Sequence, residues 1–168
     1  MYKLLICFFL IINLMGCSSS EDFSPTGKKS GRGQDIEVGA PGFMLDDLKG
    51  NKIQLSDFKG KVVLLVFTTT WCRYCVSEIP YLRDLYSKYK EKGFEIINID
   101  IQESEKKVSS FAAQHNIPYT ILLDKYAKVA STYGVQGVPS KTLIDKNGNI
   151  ICHTCRAIEP YLESLLDS

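Results

Sequence analysis

Apolar and polar positions form alternating blocks along this chain, and the most continuous apolar block predicts its central strand. Lys61 to Phe67 contains only apolar side chains after its lysine, a pattern typical of a strand covered on both faces of a parallel sheet. Further stretches of strand length are Phe94–Ile99, Tyr119–Leu123, Lys141–Asp145 and Asn149–Thr154. The last two are joined through Asn147-Gly148, a dipeptide that favours a hairpin.

Segments with helical spacing of apolar residues lie between these strands. The helix predicted after Cys75 ends near Gly93 and carries Ile79, Leu82, Leu85, Tyr86 and Tyr89. Other helices are predicted at Glu105–His115, at Tyr126–Tyr133 and around Tyr161, Leu162, Leu165 and Leu166. Phe43–Leu45 and Lys52–Leu55 predict an N-terminal β-hairpin. This order of elements predicts an α/β fold, a three-layer α/β/α sandwich with a mixed central sheet.

Composition limits the kind of protein this can be. The chain has 168 residues, of which 45% are hydrophobic and 23% charged, as expected for one globular domain. Its formal net charge is +1 and it has no lysine- and arginine-rich patch, so a nucleic-acid partner is not expected. No phosphate-binding glycine loop is present, and we expect no cofactor. A monomer is expected.

The N-terminus has the pattern of an export signal. A short basic start is followed by a nearly unbroken apolar stretch, Leu4 to Leu14, and by small residues. Leu14-Met15-Gly16-Cys17 resembles the bacterial lipoprotein box, which implies cleavage of residues 1–16 and lipidation of Cys17. Residues 17–36 are mostly polar and predict a flexible tether, with the folded domain at 37–168. The expected location is the cell envelope, on the extracytoplasmic side of a membrane.

The candidate chemistry lies at Trp71-Cys72-Arg73-Tyr74-Cys75, directly after the central strand. Two cysteines with this spacing, where a strand gives way to a helix, are typical of a reversible redox disulfide. A sulfur at the helix N-terminus lies at the positive end of the helix dipole, which favours the thiolate and makes Cys72 the expected nucleophile. Cys75, one turn deeper, is expected to be more buried and to resolve the mixed disulfide.

Glu78 follows Cys75 by three residues and therefore lies on the same face of the predicted helix. A partly buried carboxylate at that position can carry the proton that Cys75 must lose. A solvated glutamate in the first turns of a helix is the alternative interpretation.

Several motifs together resemble the thioredoxin-fold family, specifically its exported TlpA/ResA-like thiol-disulfide oxidoreductases. The resemblance covers roughly Glu37 to Ser168 and rests on the motifs Ala40-Pro41-Gly42-Phe43, Leu55-Ser56-Asp57-Phe58-Lys59-Gly60-Lys61, the Cys72–Cys75 motif, Glu78-Ile79-Pro80 and Gly137-Val138-Pro139. In this family a glutamate at the position of Glu78 takes part in the reaction, and Val66 replaces the buried aspartate of cytosolic thioredoxins. The resemblance also implies a cis peptide bond before Pro139 that faces the cysteines.

Substrate contacts are expected on both sides of the cysteine pair. The backbone of Val138 can pair with an extended substrate segment, and Trp71 offers an apolar contact surface. The resemblance implies an enzyme that reduces or exchanges disulfides of exported proteins. Its expected partners are protein thiols and disulfides and an electron donor at or beyond the membrane. Cytochrome c maturation is one candidate process among several.

A second CxxC motif, Cys152-His153-Thr154-Cys155, departs from the family pattern. On a regular strand, Cα atoms three residues apart are separated by about 10 Å, too far for a disulfide. We therefore expect two ordinary half-buried cysteines, with a bulge-assisted disulfide and a soft-metal site with His153 left open. Two alternative functions remain open at this point. One is a thiol peroxidase of peroxiredoxin type, suggested by Thr69 three residues ahead of Cys72. The other is a copper or zinc carrier that uses the second motif.

Overall fold

Seven strands form one mixed sheet in the computed structural model of the protein, which describes residues 39–167. They are β1 (Met44–Asp47), β2 (Lys52–Gln54), β3 (Val62–Thr68), β4 (Phe94–Ile101), β5 (Thr120–Asp124), β6 (Ser140–Ile144) and β7 (Ile150–His153). Their spatial order is β2-β1-β5-β4-β3-β6-β7. Strands β3, β4 and β5 are mutually parallel, whereas the hairpins β1–β2 and β6–β7 join the sheet antiparallel. The predicted mixed sheet with an N-terminal hairpin is confirmed.

Strand β3 is buried along its whole length because its alternate side chains enter two different hydrophobic clusters. Val62, Leu64 and Val66 pack on one face of the sheet. Val63, Leu65 and Phe67 pack on the other. This explains why the strand is uniformly apolar rather than alternating.

Helices cover both faces of the sheet, which confirms the three-layer arrangement. They are α1 (Arg73–Tyr89), α2 (Glu105–Gln114), α3 (Lys128–Thr132) and α4 (Glu159–Leu166), with short 3₁₀ helices at Leu55–Phe58 and Lys90–Lys92. Helices α1 and α4 share a cluster with Leu64, to which they contribute Leu82 and Leu162. Helix α3 packs on the opposite face through Val129. Helix α1 ends at Tyr89, and the 3₁₀ helix that follows it is capped by Gly93, whose φ of 88° is accessible to glycine at little cost.

The last hairpin differs from the prediction. Strand β7 ends at His153, and Thr154 has a φ of 53°, in the left-handed region, so the chain turns before Cys155. The pairing of β6 with β7 is also shifted between Leu143 and Ile144. The assumption that Cys152 and Cys155 share one regular strand is therefore wrong.

The predicted N-terminal segments lie outside the described residues. These are the signal peptide at 1–16 and the tether at 17–36 with its lipidation site, Cys17. Within residues 39–167, no helix is both long enough and apolar enough to cross a membrane.

Candidate active site

Cys72 and Cys75 form a disulfide where β3 passes into α1, with their Cα atoms 5.2 Å apart. Cys72 is the N-cap of α1, and its Sγ accepts a hydrogen bond from the backbone N–H of Cys75 at 3.2 Å. The first sulfur of the motif therefore occupies the helix N-terminus, where free backbone donors and the helix dipole stabilise a thiolate once the disulfide is reduced.

The two cysteines differ in their neighbours more than in their degree of burial. Cys72 is 6% exposed and Cys75 5% exposed, so the predicted greater burial of Cys75 amounts to only a small difference. Cys72 Sγ lies 3.6 Å from the carbonyl oxygen of Val138, at the edge of the site. Cys75 instead lines a small interior cavity together with Glu78, Thr68 and Tyr119. The two sulfurs thus face different parts of the molecule.

The loop before β6 brings Val138 and Pro139 to the cysteine pair. The Val138–Pro139 peptide bond is cis, as the resemblance implies. Trp71 is 69% exposed, and with Val138 it lines a surface cavity of about 600 Å³ beside Cys72. The structure therefore brings together the five sequence-predicted positions Trp71, Cys72, Cys75, Val138 and Pro139.

Glu78 is placed on the inner side of the site by α1. Its side chain is 28% exposed, and its Oε1 forms an ion pair with Lys141 Nζ, whose side chain is only 8% exposed. Within residues 39–167, the other carboxylate oxygen, Oε2, is buried without a hydrogen-bond partner. This environment does not fit the alternative interpretation of Glu78 as a solvated glutamate in the first turns of a helix.

Lys141 is a site residue that the sequence prediction missed. It lies on β6, a strand whose five residues are all buried, and it follows Pro139 by two positions. A lysine is rarely buried unless it is paired. The signal available in the sequence was therefore a charged residue inside a predicted interior strand, next to a motif already assigned to the site.

A second carboxylate group supports the loop that leads into Cys72, and it was also missed. Glu103 accepts hydrogen bonds from the backbone N–H and the hydroxyl of Thr70, and it pairs with Lys107. Asp100, at the end of β4, is 2% exposed. Its burial, together with the neighbouring Glu103 carboxylate, raises the pKa of Asp100 to about 8.

Cys152 and Cys155 form a second disulfide, with Cα atoms 5.6 Å apart. The left-handed turn at Thr154 brings the Cα atoms this close, so the expected separation of about 10 Å is wrong. His153 Nδ1 instead lies 2.9 Å from Thr142 Oγ1. Among residues 39–167 no group of three or more His, Cys, Asp or Glu side chains is placed to hold a metal ion. The carrier interpretation therefore has no support in this part of the chain.

The fold and the site together define a thiol-disulfide oxidoreductase with a thioredoxin-like fold. The chain belongs to the AhpC/TSA family, whose model matches residues 36–153. It is 39% identical over 164 residues to the thiol-disulfide oxidoreductase ResA of Bacillus cereus, an alignment that covers 94% of this chain and 95% of the relative. The ResA of Bacillus thuringiensis is 43% identical over 137 residues, with coverage of 77% and 79%.

Solved structures agree with this assignment. The thioredoxin domain of a thiol-disulfide oxidoreductase from Bacteroides vulgatus is 30% identical with a TM-score of 0.71, and the match covers 77% of this chain and 96% of that one. A thiol:disulfide interchange protein from Bacteroides sp. is 31% identical with a TM-score of 0.69, with coverage of 77% and 89%. The predicted family, fold and enzyme class are thus confirmed.

Proposed function

We propose that this protein is a lipid-anchored, extracytoplasmic enzyme that reduces or exchanges disulfides of exported proteins through Cys72 and Cys75. The observation that carries the proposal is the position of Cys72 Sγ, which caps α1 and lies 3.6 Å from the Val138 carbonyl beside the large cavity. Because Val138 lines that cavity, a substrate segment bound there lies close to Cys72. Protein disulfides are the substrates when the enzyme acts as a reductant, and protein thiols are the substrates when it acts as an oxidant.

In the reducing direction, the Cys72 thiolate attacks one sulfur of a substrate disulfide and displaces the other as a thiolate. Cys75 then loses its proton and attacks Cys72, which releases the second substrate sulfur and re-forms the Cys72–Cys75 disulfide. Two electrons pass from the enzyme dithiol to the substrate. An electron donor at or beyond the membrane restores the dithiol.

Glu78 receives the proton that Cys75 loses in the second step. The two residues line a common cavity of about 10 Å³, close to the least space that one water molecule requires. Lys141 keeps the Glu78 carboxylate in place through its ion pair. Strand β3 carries Val66 where cytosolic thioredoxins have a buried aspartate, so that position supplies no carboxylate to take up the proton. Glu78 is therefore the proposed acceptor.

Exchange kinetics and the reduction potential of Cys72–Cys75 test this function. Purified protein should reduce a protein disulfide in the presence of a dithiol, and Cys72→Ser should abolish the reaction. A potential near the thioredoxin value of about −270 mV would indicate a reductase, whereas a value near about −120 mV would indicate an oxidant. Rapid consumption of hydrogen peroxide by Cys75→Ser would instead favour a thiol peroxidase.

The membrane anchor is supported by the sequence Leu14-Met15-Gly16-Cys17 after the apolar stretch. Its test is metabolic labelling with a fatty acid, followed by separation of membrane and soluble fractions. Wild-type protein should carry the label and sediment with membranes, whereas Cys17→Ser should do neither. Cys7→Ser is the matched control, because it removes a cysteine from the proposed signal peptide and should leave labelling unchanged. Equal labelling of the Cys17→Ser variant would contradict the anchor.

A further inference from the structure

The second disulfide has no part in the proposed exchange reaction, yet it is directly connected to the residues that hold Glu78. The backbone N–H of Cys155 donates a hydrogen bond to the carbonyl oxygen of Lys141 at 3.0 Å. Lys141 in turn pairs its ammonium with Glu78. Glu78 lies three residues from Cys75 on α1 and lines a cavity with it. The disulfide loop thus fixes the backbone of the residue that pairs with the proposed proton carrier.

A cavity of about 340 Å³ lies between the two disulfides. Its lining includes Glu78 and Pro139 from the first site and Cys155 and Arg156 from the second. Cys155 is only 4% exposed, while Cys152 is half-buried, so Cys152 is the more accessible residue of the pair. Small solutes that enter this cavity meet both Cys155 and Glu78.

The turn that the second disulfide closes is conformationally unfavourable without it. Thr154 has a φ of 53°, and a β-branched residue rarely adopts this conformation. When the sulfurs are bonded, Cys155 must stay near Cys152 and Thr154 must keep this conformation. When they are free, Thr154 can relax, and its relaxation moves the Cys155 N–H away from the Lys141 carbonyl.

Lys141 is sensitive to such a displacement, because its nearly buried ammonium needs a partner. The other charged or titratable groups around Glu78 are few. Arg156 lines the same cavity, and the phenols of Tyr81 and Tyr119 interact with the Glu78 carboxylate. Burial raises the pKa of both phenols, so they stay neutral at physiological pH and leave Lys141 as the cation paired with Glu78.

We infer that Cys152–Cys155 is a reducible switch that positions Lys141 against Glu78 and thereby sets the rate at which Cys75 resolves the substrate disulfide. This inference rests on the proposed function. Reduction requires a dithiol, from a partner protein or a reagent. One thiolate of the dithiol attacks a sulfur of the pair, which breaks the Cys152–Cys155 bond and forms a mixed disulfide. The second thiolate attacks the mixed disulfide and displaces the protein sulfur, so that two electrons and two protons pass to Cys152 and Cys155. The dithiol leaves as a disulfide.

Reducibility is tested in the Cys72→Ser/Cys75→Ser variant, which keeps the second pair. The folded protein is incubated with dithiothreitol, and the gain in maleimide-reactive thiols is counted while near-ultraviolet circular dichroism reports folding. We expect a gain of two thiols without loss of the folded signal. A pair that stays closed until denaturant unfolds the protein is a permanent structural bond, and that result would overturn the inference.

The effect on the first site is tested with Cys152→Ala/Cys155→Ala and with Lys141→Met. The readout is the pH profile of the step in which Cys75 resolves a mixed disulfide on Cys72. Each variant should move the midpoint of that profile by the same amount and in the same direction, because each withdraws the Lys141 ammonium from the carboxylate that takes up the proton of Cys75. The combination should move it no further. In a Glu78→Gln background the cysteine substitutions should have no effect on the profile.

A lower melting temperature with an unchanged pH profile would show that the second disulfide only stabilises the fold. Cys152→Ala alone provides a second variant, since it opens the bond and leaves the buried Cys155 in place. The proposed function and the proposed switch would be contradicted by different results. If wild-type protein exchanges no disulfide, the proposed function is wrong. If wild-type exchange is normal and the cysteine variants leave its pH profile unchanged, only the switch is wrong.

Discussion

The individual residues of the site are distinguished by their neighbours more than by their exposure. Cys72 and Cys75 are about equally buried, but one sulfur lies at the Val138 carbonyl and the other residue lines a cavity with Glu78. Glu78 itself has one oxygen paired with Lys141. The chemistry of attack and that of resolution therefore depend on different sets of contacts.

Glu78→Gln should slow resolution by Cys75 about 100-fold and leave the initial attack by Cys72 unchanged, because the amide cannot take up a proton. Single-turnover measurements with a model peptide disulfide separate the two steps. The neighbouring Ser77→Ala serves as the control, since the exposed Ser77 hydroxyl donates its hydrogen bond to the carbonyl of Tyr74. Equal slowing of both steps in Glu78→Gln would indicate a structural role.

Asp100→Asn should remove a pH-dependent loss of stability. The folded protein holds the Asp100 proton up to about pH 8, whereas the unfolded chain releases it near the ordinary value of 3.8. The native state therefore binds more protons between these values, and its stability falls as pH rises through that window. The variant should gain on the order of 5 kcal/mol of unfolding free energy relative to wild type between pH 4 and pH 8.

Urea unfolding at several pH values measures this difference. The exposed Asp84 provides the control, and Asp84→Asn should track wild type at every pH. A constant offset between Asp100→Asn and wild type across the whole range would show that Asp100 is not the titrating group.

The sequence was enough to propose the cysteine pair and Glu78 as site residues, but it did not reveal the residues that hold them in place. Cys72, Cys75 and Glu78 were found because their spacing along one helix is local information. Lys141 lies on β6 and Glu103 in the loop after β4, and only the three-dimensional arrangement of these segments brings Lys141 to Glu78 and Glu103 to Thr70. Local periodicity carries no information on such pairings.

Helix α1 connects the active site to the C-terminal helix. Tyr81 donates a hydrogen bond from its hydroxyl to Glu159 at 2.8 Å, and Tyr89 donates one to Glu163 at 3.2 Å. Both acceptors lie on α4, which follows directly after the second disulfide loop. The helix that carries Cys75 and Glu78 is therefore held by the same segment that carries Cys155.

Tyr81→Phe should lower the free energy of unfolding by about 1.5 kcal/mol, because it removes the hydroxyl that donates a hydrogen bond to the Glu159 carboxylate. Chemical denaturation measures the change. Tyr161→Phe is the matched control, since Tyr161 is 43% exposed, and it should change stability by less than about 0.5 kcal/mol. An equal effect of both substitutions would contradict the importance of the α1–α4 contact.

The elements were predicted well where periodicity is strong and poorly where a single residue turns the chain. β3 and α1 follow from their apolar patterns, whereas the end of β7 does not, because nothing about threonine signals a left-handed conformation at position 154. That one residue decides whether Cys152 and Cys155 can bond. This explains why the sequence analysis wrongly expected Cys152 and Cys155 to be too far apart for a disulfide.

At the scale of the whole molecule, the proposed nucleophile lies near a large surface cavity, because the carbonyl of Val138, a residue that lines the cavity, is 3.6 Å from Cys72 Sγ. The cavity of about 600 Å³ extends from Trp71 and Val138 to α3. In the proposed function, it binds an extended polypeptide segment through backbone pairing at Val138 and contact with the exposed indole of Trp71.

Trp71→Ala should raise KM for a protein disulfide about tenfold and change kcat little, because the indole contributes contact area and not chemistry. Steady-state assays with a protein substrate and with a small aromatic disulfide reveal the difference. Tyr126→Ala is the control, since Tyr126 is 78% exposed but does not line the cavity. An equal loss with both substrates would place Trp71 in the chemical step.

Capture of substrates by Cys75→Ser in cells tests the central claim most directly. Without the resolving thiol, mixed disulfides should accumulate, dissolve on treatment with a dithiol, and map by mass spectrometry to Cys72. The Cys72→Ser/Cys75→Ser variant should capture nothing. Absence of adducts in Cys75→Ser, or adducts that map to Cys152 or Cys155, would contradict the assignment of Cys72 as the attacking sulfur.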